Sequence, residues 1–259
     1  MNPKRTRIDV LLVERGLAPT RQRAQAMVMA GQVRINNQLA RKSSETAAPD
    51  AQIEVLGADA RYASRAGLKL EGALSDFSVS VQDRICLDVG SSNGGFTDCL
   101  LLHSARRVYA VDVNIAQLDW KLQRDARVVP VKKNARFLKP ADVPESPSIV
   151  TADVSFISVT KILPALVAVA QPGAIFLILI KPQFELEKKL VGKGGIVRDV
   201  QLHERAVSSV RAAAEKAGLS ILGVQPSRVA GAEGNQEYFL HAQRPDSIQS
   251  SALAESPEP

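Results

Sequence analysis

Apolar residues recur at helical spacing near the start of the chain and in short unbroken runs further on. Ile8, Leu11, Leu12 and Val13, with Leu17 beyond Gly16, follow the period of an amphipathic helix ended by a glycine. Pro19-Thr20 opens a second helix through Met29, which Gly31 closes. Residues 33–37 and 52–56 alternate like strands, the first entering a turn at Asn36-Asn37. A small α+β unit over residues 1–60 is the expectation, with a linker at 61–67.

From residue 68 the pattern changes. Short apolar runs at 85–89, 108–111, 128–131, 149–152, 174–180 and 219–224 predict strands, and amphipathic stretches at 96–103, 115–124, 159–170 and 201–217 predict helices between them. Strand and helix in alternation argue for an α/β domain, a parallel doubly wound sheet over 68–244. The run 237–242 follows a glycine-rich loop and reads as a closing antiparallel strand. The tail 245–259 holds three prolines, four serines and three acids with no basic residue, a composition that predicts disorder.

Composition narrows the function. Hydrophobic residues make up 45% and charged residues 23% of 259, the balance of a globular chain. The longest apolar candidate, 162–180, is broken by Gln171, Pro172 and Gly173, so no membrane span is expected. The basic N-terminus leads into Asp9 and Glu14 rather than an apolar segment, which predicts a cytoplasmic protein without a secretory signal. Cys86 and Cys99 form no Cys-x-x-Cys or Cys/His cluster, so neither a disulfide scaffold nor a zinc site is expected, and both read as reduced packing residues. The net charge of +6 is uneven. Residues 1–42 carry nine Lys/Arg against Asp9 and Glu14, and the rest sums to −1. A basic head on a near-neutral body is the electrostatic footprint of a nucleic-acid-binding module.

The first strand of the second domain runs into Asp88-Val89-Gly90-Ser91-Ser92-Asn93-Gly94-Gly95-Phe96. A glycine-rich turn between strand and helix lets a ligand lie on bare backbone at the carboxyl edge of the sheet. The spacing Asp-x-Gly-x-x-x-Gly-Gly departs from a dinucleotide fingerprint. An ionised Asp88 would repel a pyrophosphate, yet it suits the ammonium and sulfonium of S-adenosyl-L-methionine. Asp112 ends the second strand, 24 residues on, where a carboxylate can accept both ribose hydroxyls. The expected cofactor residues are Asp88, Gly90, Ser91, Ser92, Gly94, Gly95, Phe96, Asp112, Val113 and Asp153, with Asn134-Ala135 at the adenine. A left-handed turn with a capping acid, and a capping role for Asn134, are the structural alternatives.

Four polar residues belong to the same rim. Asp153 and Lys181 follow apolar strands, Glu237 begins the antiparallel one, and Lys69 lies on the helix entering the domain. A sugar hydroxyl becomes a useful nucleophile only if a neutral base takes its proton. Lys181 is the candidate base, Lys69 and Asp153 tune and orient it, a second cation favouring its neutral form, and Glu237 anchors either the ribose or Lys69. Taken singly, such lysines are commonly solvated and Glu237 could merely start a strand. Phe96, Phe156 and Phe184 are candidates to stack on adenine or the target base, at least two of them being core. Residues 192–198, Gly-Lys-Gly-Gly-Ile-Val-Arg, read as a mobile loop near Lys181.

Two resemblances sharpen this reading. Arg7-Ile8-Asp9-x-x-Leu12-Val13-x-x-Gly16-Leu17, Arg21-x-x-Ala24, Gly31-x-Val33-x-Ile35-Asn36 and Asp50-x-x-Ile53 resemble an S4 domain. That implies RNA binding by shape and phosphate contact, through Arg5, Arg7, Arg21, Arg23, Arg34, Arg41 and Lys42, with Arg65 at the domain junction. The Lys-Asp-Lys-Glu set resembles the tetrad of FtsJ-type ribose 2′-O-methyltransferases. With Arg65-Ala66-Gly67-Leu68-Lys69, Ala152-Asp153-Val154-Ser155-Phe156, Lys181-Pro182-Gln183-Phe184-Glu185 and Gly234-Asn235-Gln236-Glu237, residues 5–243 are similar to the TlyA family. Membership implies an S-adenosylmethionine-dependent (cytidine-2′-O)-methyltransferase whose partner is ribosomal RNA or a ribosomal subunit, with no metal and no membrane. At Gly67 that family often has a bulkier residue. Some members bear the name hemolysin, so a membrane-active protein is one alternative, and a non-catalytic RNA-binding or assembly factor is another. A pseudouridine synthase can also carry an S4 head, but the glycine turn and Asp112 speak against it.

Overall fold

The computed structural model describes residues 5–246 except 19, 30, 31, 37, 41, 56–60, 232 and 233, and the side chain of Lys193. Gly31, Arg41, residues 57–60 of the segment between the domains and the tail from 247 therefore lie outside the described residues. The chain divides into two units, 1–61 and 62–259.

In the first unit β1 (Thr6–Arg7) leads directly into α1 (Ile8–Glu14), and α2 (Arg21–Met29) follows. Strands β2 (Val33–Ile35), β3 (Gln38–Leu39), β4 (Thr46–Ala47) and β5 (Ile53–Val55) complete it, in a β3-β2-β5 sheet and a β1-β4 pair. Ile8, Leu11 and Leu12 of α1 meet Ala24, Met27 and Val28 of α2 over Val33, forming a separate small core. Gly16 ends α1 at φ +68, a conformation that a Cβ would strain. The expected helices and strands are present. The two-residue strands β1, β3 and β4 are additions, too short to carry an alternating pattern.

The second unit opens with α3 (Ala66–Asp76), then β6 (Ile85–Val89), α4 (Gly95–Leu102), β7 (Arg107–Asp112), α5 (Trp120–Gln123) and β8 (Val128–Lys132). It continues through β9 (Ile149–Ala152), α6 (Leu163–Val169), β10 (Ile175–Ile180), α7 (Pro182–Glu185), α8 (Val200–Lys216), β11 (Ser220–Pro226) and β12 (Tyr238–Gln243). The seven strands are ordered β11-β12-β10-β9-β6-β7-β8. β8, β7, β6, β9 and β10 run parallel, and β12 is antiparallel to both β10 and β11. The expected antiparallel strand is thus inserted one place from the edge.

β10, Ile-Phe-Leu-Ile-Leu-Ile, shows why the sheet is central. Phe176, Ile178 and Ile180 face one helical layer while Leu177 and Leu179 face the other, all essentially unexposed. Each such side chain contributes roughly 1.5–3 kcal/mol on burial. The helix expected over 115–124 is instead a 3-10 turn, Ile115–Gln117, and α5 restarted by Asp119, whose carboxylate accepts from the Lys121 N–H at 2.9 Å. The stretch 159–170 likewise divides into a 3-10 turn, Val159–Lys161, and α6, which has a proline in its first turn. Among the described residues no helix is long and apolar enough to cross a membrane.

Candidate active site

Parallel strands deliver their following residues to one edge, and register fixes who meets whom there. Val89 is level with Ala152, and Ile178 with Ala152 on the other side, so Gly90, Asp153 and Leu179 lie abreast. Ile180 is opposite Tyr238, which sets Lys181 and Glu237 side by side on antiparallel neighbours. The Asp153 N–H donates to the Val89 carbonyl at 2.9 Å, and the Gly90 N–H to the Val111 carbonyl at 2.9 Å. Gly90 is at φ +81, and a Cβ there would collide with the Asp153 carbonyl oxygen. Only glycine permits this approach.

Two adjoining recesses open at this edge. A smaller one is bordered by Gly90, Ser91, Ser92, Asp153, Ser155 and Lys181. The larger, about 620 Å³, is bordered by Asp112, Val113, Asn134, Ala135, Ser155 and Phe156, and shares Gly90, Ser92 and Asp153 with the first. Ser91 Oγ borders the small recess, is buried, and has no hydrogen-bond partner among the described residues. A buried hydroxyl of that kind awaits a ligand or water. Asp112, which borders the larger recess, accepts from the Ser92 N–H at 3.0 Å, the Asn114 N–H at 2.9 Å and, at 3.5 Å, from Gln117 Nε2. Asn134 accepts from the Arg136 N–H at 3.0 Å, so it caps the following turn as well as bordering the recess. The bare glycine, the orphaned hydroxyl and the carboxylate fit a nucleoside-bearing ligand.

The four rim residues meet as two ion pairs. Lys69 Nζ donates to Glu237 Oε2 at 2.6 Å, with Lys69 8% and Glu237 1% exposed. Lys181, also 8% exposed, pairs with Asp153, and its Nζ donates to Ser155 Oγ at 2.9 Å. Buried charges persist only when paired, so both contacts hold their amines in place. Gly231 makes room for the first pair, since a Cβ there would meet the Glu237 carboxylate.

Several expected residues are placed otherwise. Asp88 faces away from the rim. Strand alternation puts Leu87 and Val89 in one core layer and Asp88 on the opposite face, where Thr97 of α4 donates to it at 2.6 Å and Thr151 at 3.4 Å. Asp88 is wholly unexposed, and burial pushes its carboxyl up to about 7. It is a structural hub, not a bare anion for the cofactor. Gly94 serves packing, since a Cβ at its φ of +93 would strike Leu118 and Leu122. Gly95, by contrast, borders the small recess. Phe96 borders the recess too, but its ring is 2% exposed and stacks on Phe239 at a centroid distance of 6.0 Å, so it is core. Phe156 is the reverse, 93% exposed at φ +65, with Phe184 at 5.3 Å between centroids.

The loop 192–198 is anchored rather than loose. Asn235 donates to the Gly195 carbonyl at 2.9 Å and accepts from the Val197 N–H at 3.0 Å, while His203 Nε2 bonds the Val197 carbonyl at 2.9 Å. Glu185, raised by burial, accepts from Ser158 Oγ and from the Val159 N–H at 2.9 Å, fixing the segment that carries Phe184. Sequence reasoning did not assign Ser155, Glu185, Gly231 or Asn235. All but Gly231 stand in the quoted motifs, which was the available signal. Where Gly67 stands, a Cβ would run into the Tyr62 ring, five residues upstream.

In the head, Asp9 is wholly buried and accepts from Arg7 Nε at 3.0 Å and NH2 at 2.9 Å, Arg21 NH2 at 3.2 Å and Gln25 Nε2 at 2.8 Å. Those contacts, the Arg7 hydrogen bonds first, hold its carboxyl far below the usual range. Arg5 donates to the Thr46 side chain, and Arg34 lies 3.7 Å from Glu54. Among the described residues Arg23 and Lys42 make no ion pair. Arg65, in the second unit, donates to the Ala230 carbonyl at 3.1 Å.

The sheet order, the glycine turn and the carboxylates Asp112 and Asp153 at the ends of β7 and β9 define a Rossmann-like methyltransferase domain. Residues 62–244 match the FtsJ-like methyltransferase model and residues 6–53 the S4 domain model. The chain belongs to the FtsJ-like methyltransferase family and carries an N-terminal S4 domain. It is 44% identical over 239 residues, 92% of this chain and 89% of the other, to the 16S/23S rRNA (cytidine-2′-O)-methyltransferase TlyA of Mycobacterium tuberculosis. It is also 40% identical over 91% of its length, and 98% of the relative's, to a protein named Hemolysin A from Brachyspira hyodysenteriae. A solved structure from Streptococcus thermophilus superposes with a TM-score of 0.73 at 42% identity, covering 95% of this chain and 90% of that one.

Proposed function

We propose that this protein methylates the ribose 2′-hydroxyl of a cytidine in ribosomal RNA, free or within a subunit, in the cytoplasm, using S-adenosyl-L-methionine. The observation that carries the reading is the pair of buried ion pairs, Lys69–Glu237 and Lys181–Asp153, at the edge where two recesses meet. When bound, S-adenosylmethionine supplies a methyl carbon on a sulfonium that an alcohol can displace. The residues to hold it are Gly90 through its backbone, Ser91 and Ser92, Gly95, and Asp112 at the ribose, with Val113, Asn134 and Ala135 around the base.

Lys181, as the neutral amine, takes the proton from the 2′-hydroxyl, and Asp153 keeps the amine from swinging away. Lys69, tied to Glu237, is the second cation beside it. Phe156, exposed beside Phe184, offers a face on which an unstacked base can rest, as the chemistry requires the nucleotide to leave its helix. The basic S4 head supplies phosphate contacts.

Nucleoside mass spectrometry on ribosomal RNA incubated with the purified chain and the methyl donor is the test. Wild type should produce 2′-O-methylcytidine, and Lys181→Ala should reduce it at least about a hundredfold while donor affinity stays within a few-fold. Methylation on a base, or full turnover by Lys181→Ala, would overturn the reading.

A further inference from the structure

The residue after Val154 has no assigned part in the reaction, yet its hydroxyl is one of two groups that hold Lys181. β9 ends at Ala152, and the chain then turns across the sheet edge through Asp153, Val154, Ser155 and Phe156, the last at φ +65. That turn presents two acceptors to one amine: the Asp153 carboxylate, and Ser155 Oγ at 2.9 Å. Among the described residues no third group bonds Lys181 Nζ. Glu237, beside it in register, is engaged by Lys69, and the Phe184 ring stands 6.0 Å away at its centroid. Lys181 and Ser155 border the same recess, where a substrate hydroxyl has to arrive.

We propose that Ser155 is a positioning residue, which together with Asp153 aims the lone pair of Lys181 at the 2′-hydroxyl. The inference rests on Lys181 being the base. The reasoning is tetrahedral geometry. Cε occupies one corner of the amine nitrogen, Ser155 takes an N–H at a second, and the Asp153 carboxylate lies against the nitrogen as an ion-pair partner. Once the amine is neutral it has only two hydrogens, one given to Ser155 and the other drawn to the adjoining carboxylate, so its lone pair turns to the remaining corner. Asp153 alone would leave the amine free to turn about Cε–Nζ, with lone pair and second hydrogen exchanging places. Ser155 removes that freedom. A hydroxyl suits the task because it accepts equally from the amine and from the ammonium formed when the sugar proton transfers, so it need not reorganise during the step.

The test compares Ser155→Ala, Ser155→Thr and Lys181→Ala in the full chain, with ribosomal RNA and saturating S-adenosylmethionine. Threonine retains the hydroxyl, and Ser155 is an exposed residue and not part of the core. Ser155→Ala should lower kcat about tenfold or more, with the KM for RNA and the Kd for the donor within twofold, and Ser155→Thr should recover most of it. Wild-type kcat in Ser155→Ala overturns the proposal, as does a loss that falls on KM or that threonine fails to rescue. If Lys181→Ala itself retains full turnover, the base assignment falls and takes this proposal with it. If Lys181→Ala is dead and Ser155→Ala is not, only the proposal falls.

Discussion

Asp88, Asp112 and Asp153 fall at or just past the ends of parallel strands, and their surroundings give them different work. Asp112 is the last residue of β7 and Asp153 follows β9, and both reach the recesses, whereas Asp88 is the last but one of β6 and its side chain is committed to the opposite face. The motif spacing placed all three near the cofactor. It could not by itself show that Asp88 points at Thr97, because facing depends on which layer α4 occupies. Burial raises the Asp88 carboxyl from 3.8 to about 7, so the folded chain binds a proton that the unfolded chain has released. Stability from this group is therefore full below pH 4 and declines as pH rises toward 7, with a slope approaching about 1.4 kcal/mol per pH unit. Urea unfolding across that window should show the decline in wild type and a flatter profile in Asp88→Asn. Equal slopes in the two proteins would mean that Asp88 titrates normally.

At the scale of elements, the apolar runs were legible because a strand covered on both faces leaves no polar position to interrupt it, as β10 illustrates. Short helices were not. The 115–124 stretch has helical composition, but the Asp119 side chain caps a fresh start in its middle, and propensity gives no warning of such a break. The gathering of Lys69 with Glu237 was foreseen as proximity to one rim, while the exact pairing needed the register of β10 and β12. In the head, Asp9 ties the start of α1 to α2 by accepting from Arg7, Arg21 and Gln25. Asp9→Asn should destabilise that unit by about 2–4 kcal/mol, read as an earlier transition in urea. The sign with pH is opposite to that of Asp88: with a depressed carboxyl, Asp9 stabilises above pH 4 and loses its effect on acidification.

Across the whole molecule, charge belongs to the head and methyl-transfer chemistry to the larger unit. The excess of nine basic residues over two acids in residues 1–42 was plain in the sequence, but not how much of it is internally compensated. Arg7 and Arg21 share Asp9, whereas Arg23 has no such partner among the described residues. Replacing Arg21 and Arg23 with Glu should weaken RNA binding and reduce the slope of log affinity against log salt by about one to two. Anisotropy titrations over a range of salt concentrations measure this, and an unaltered slope would show that phosphates dock elsewhere.

The position of β12 has a bearing on how the molecule is made. β11 is bonded to the sheet only through β12, and Lys69 finds its carboxylate just ahead of that same strand. A nascent chain therefore carries an unfinished sheet and an unpaired lysine until residues 237–243 have been synthesised. One of the two ion pairs at the rim thus waits on the last strand of the sheet, while the residues of the other, Lys181 and Asp153, already stand in the chain before it.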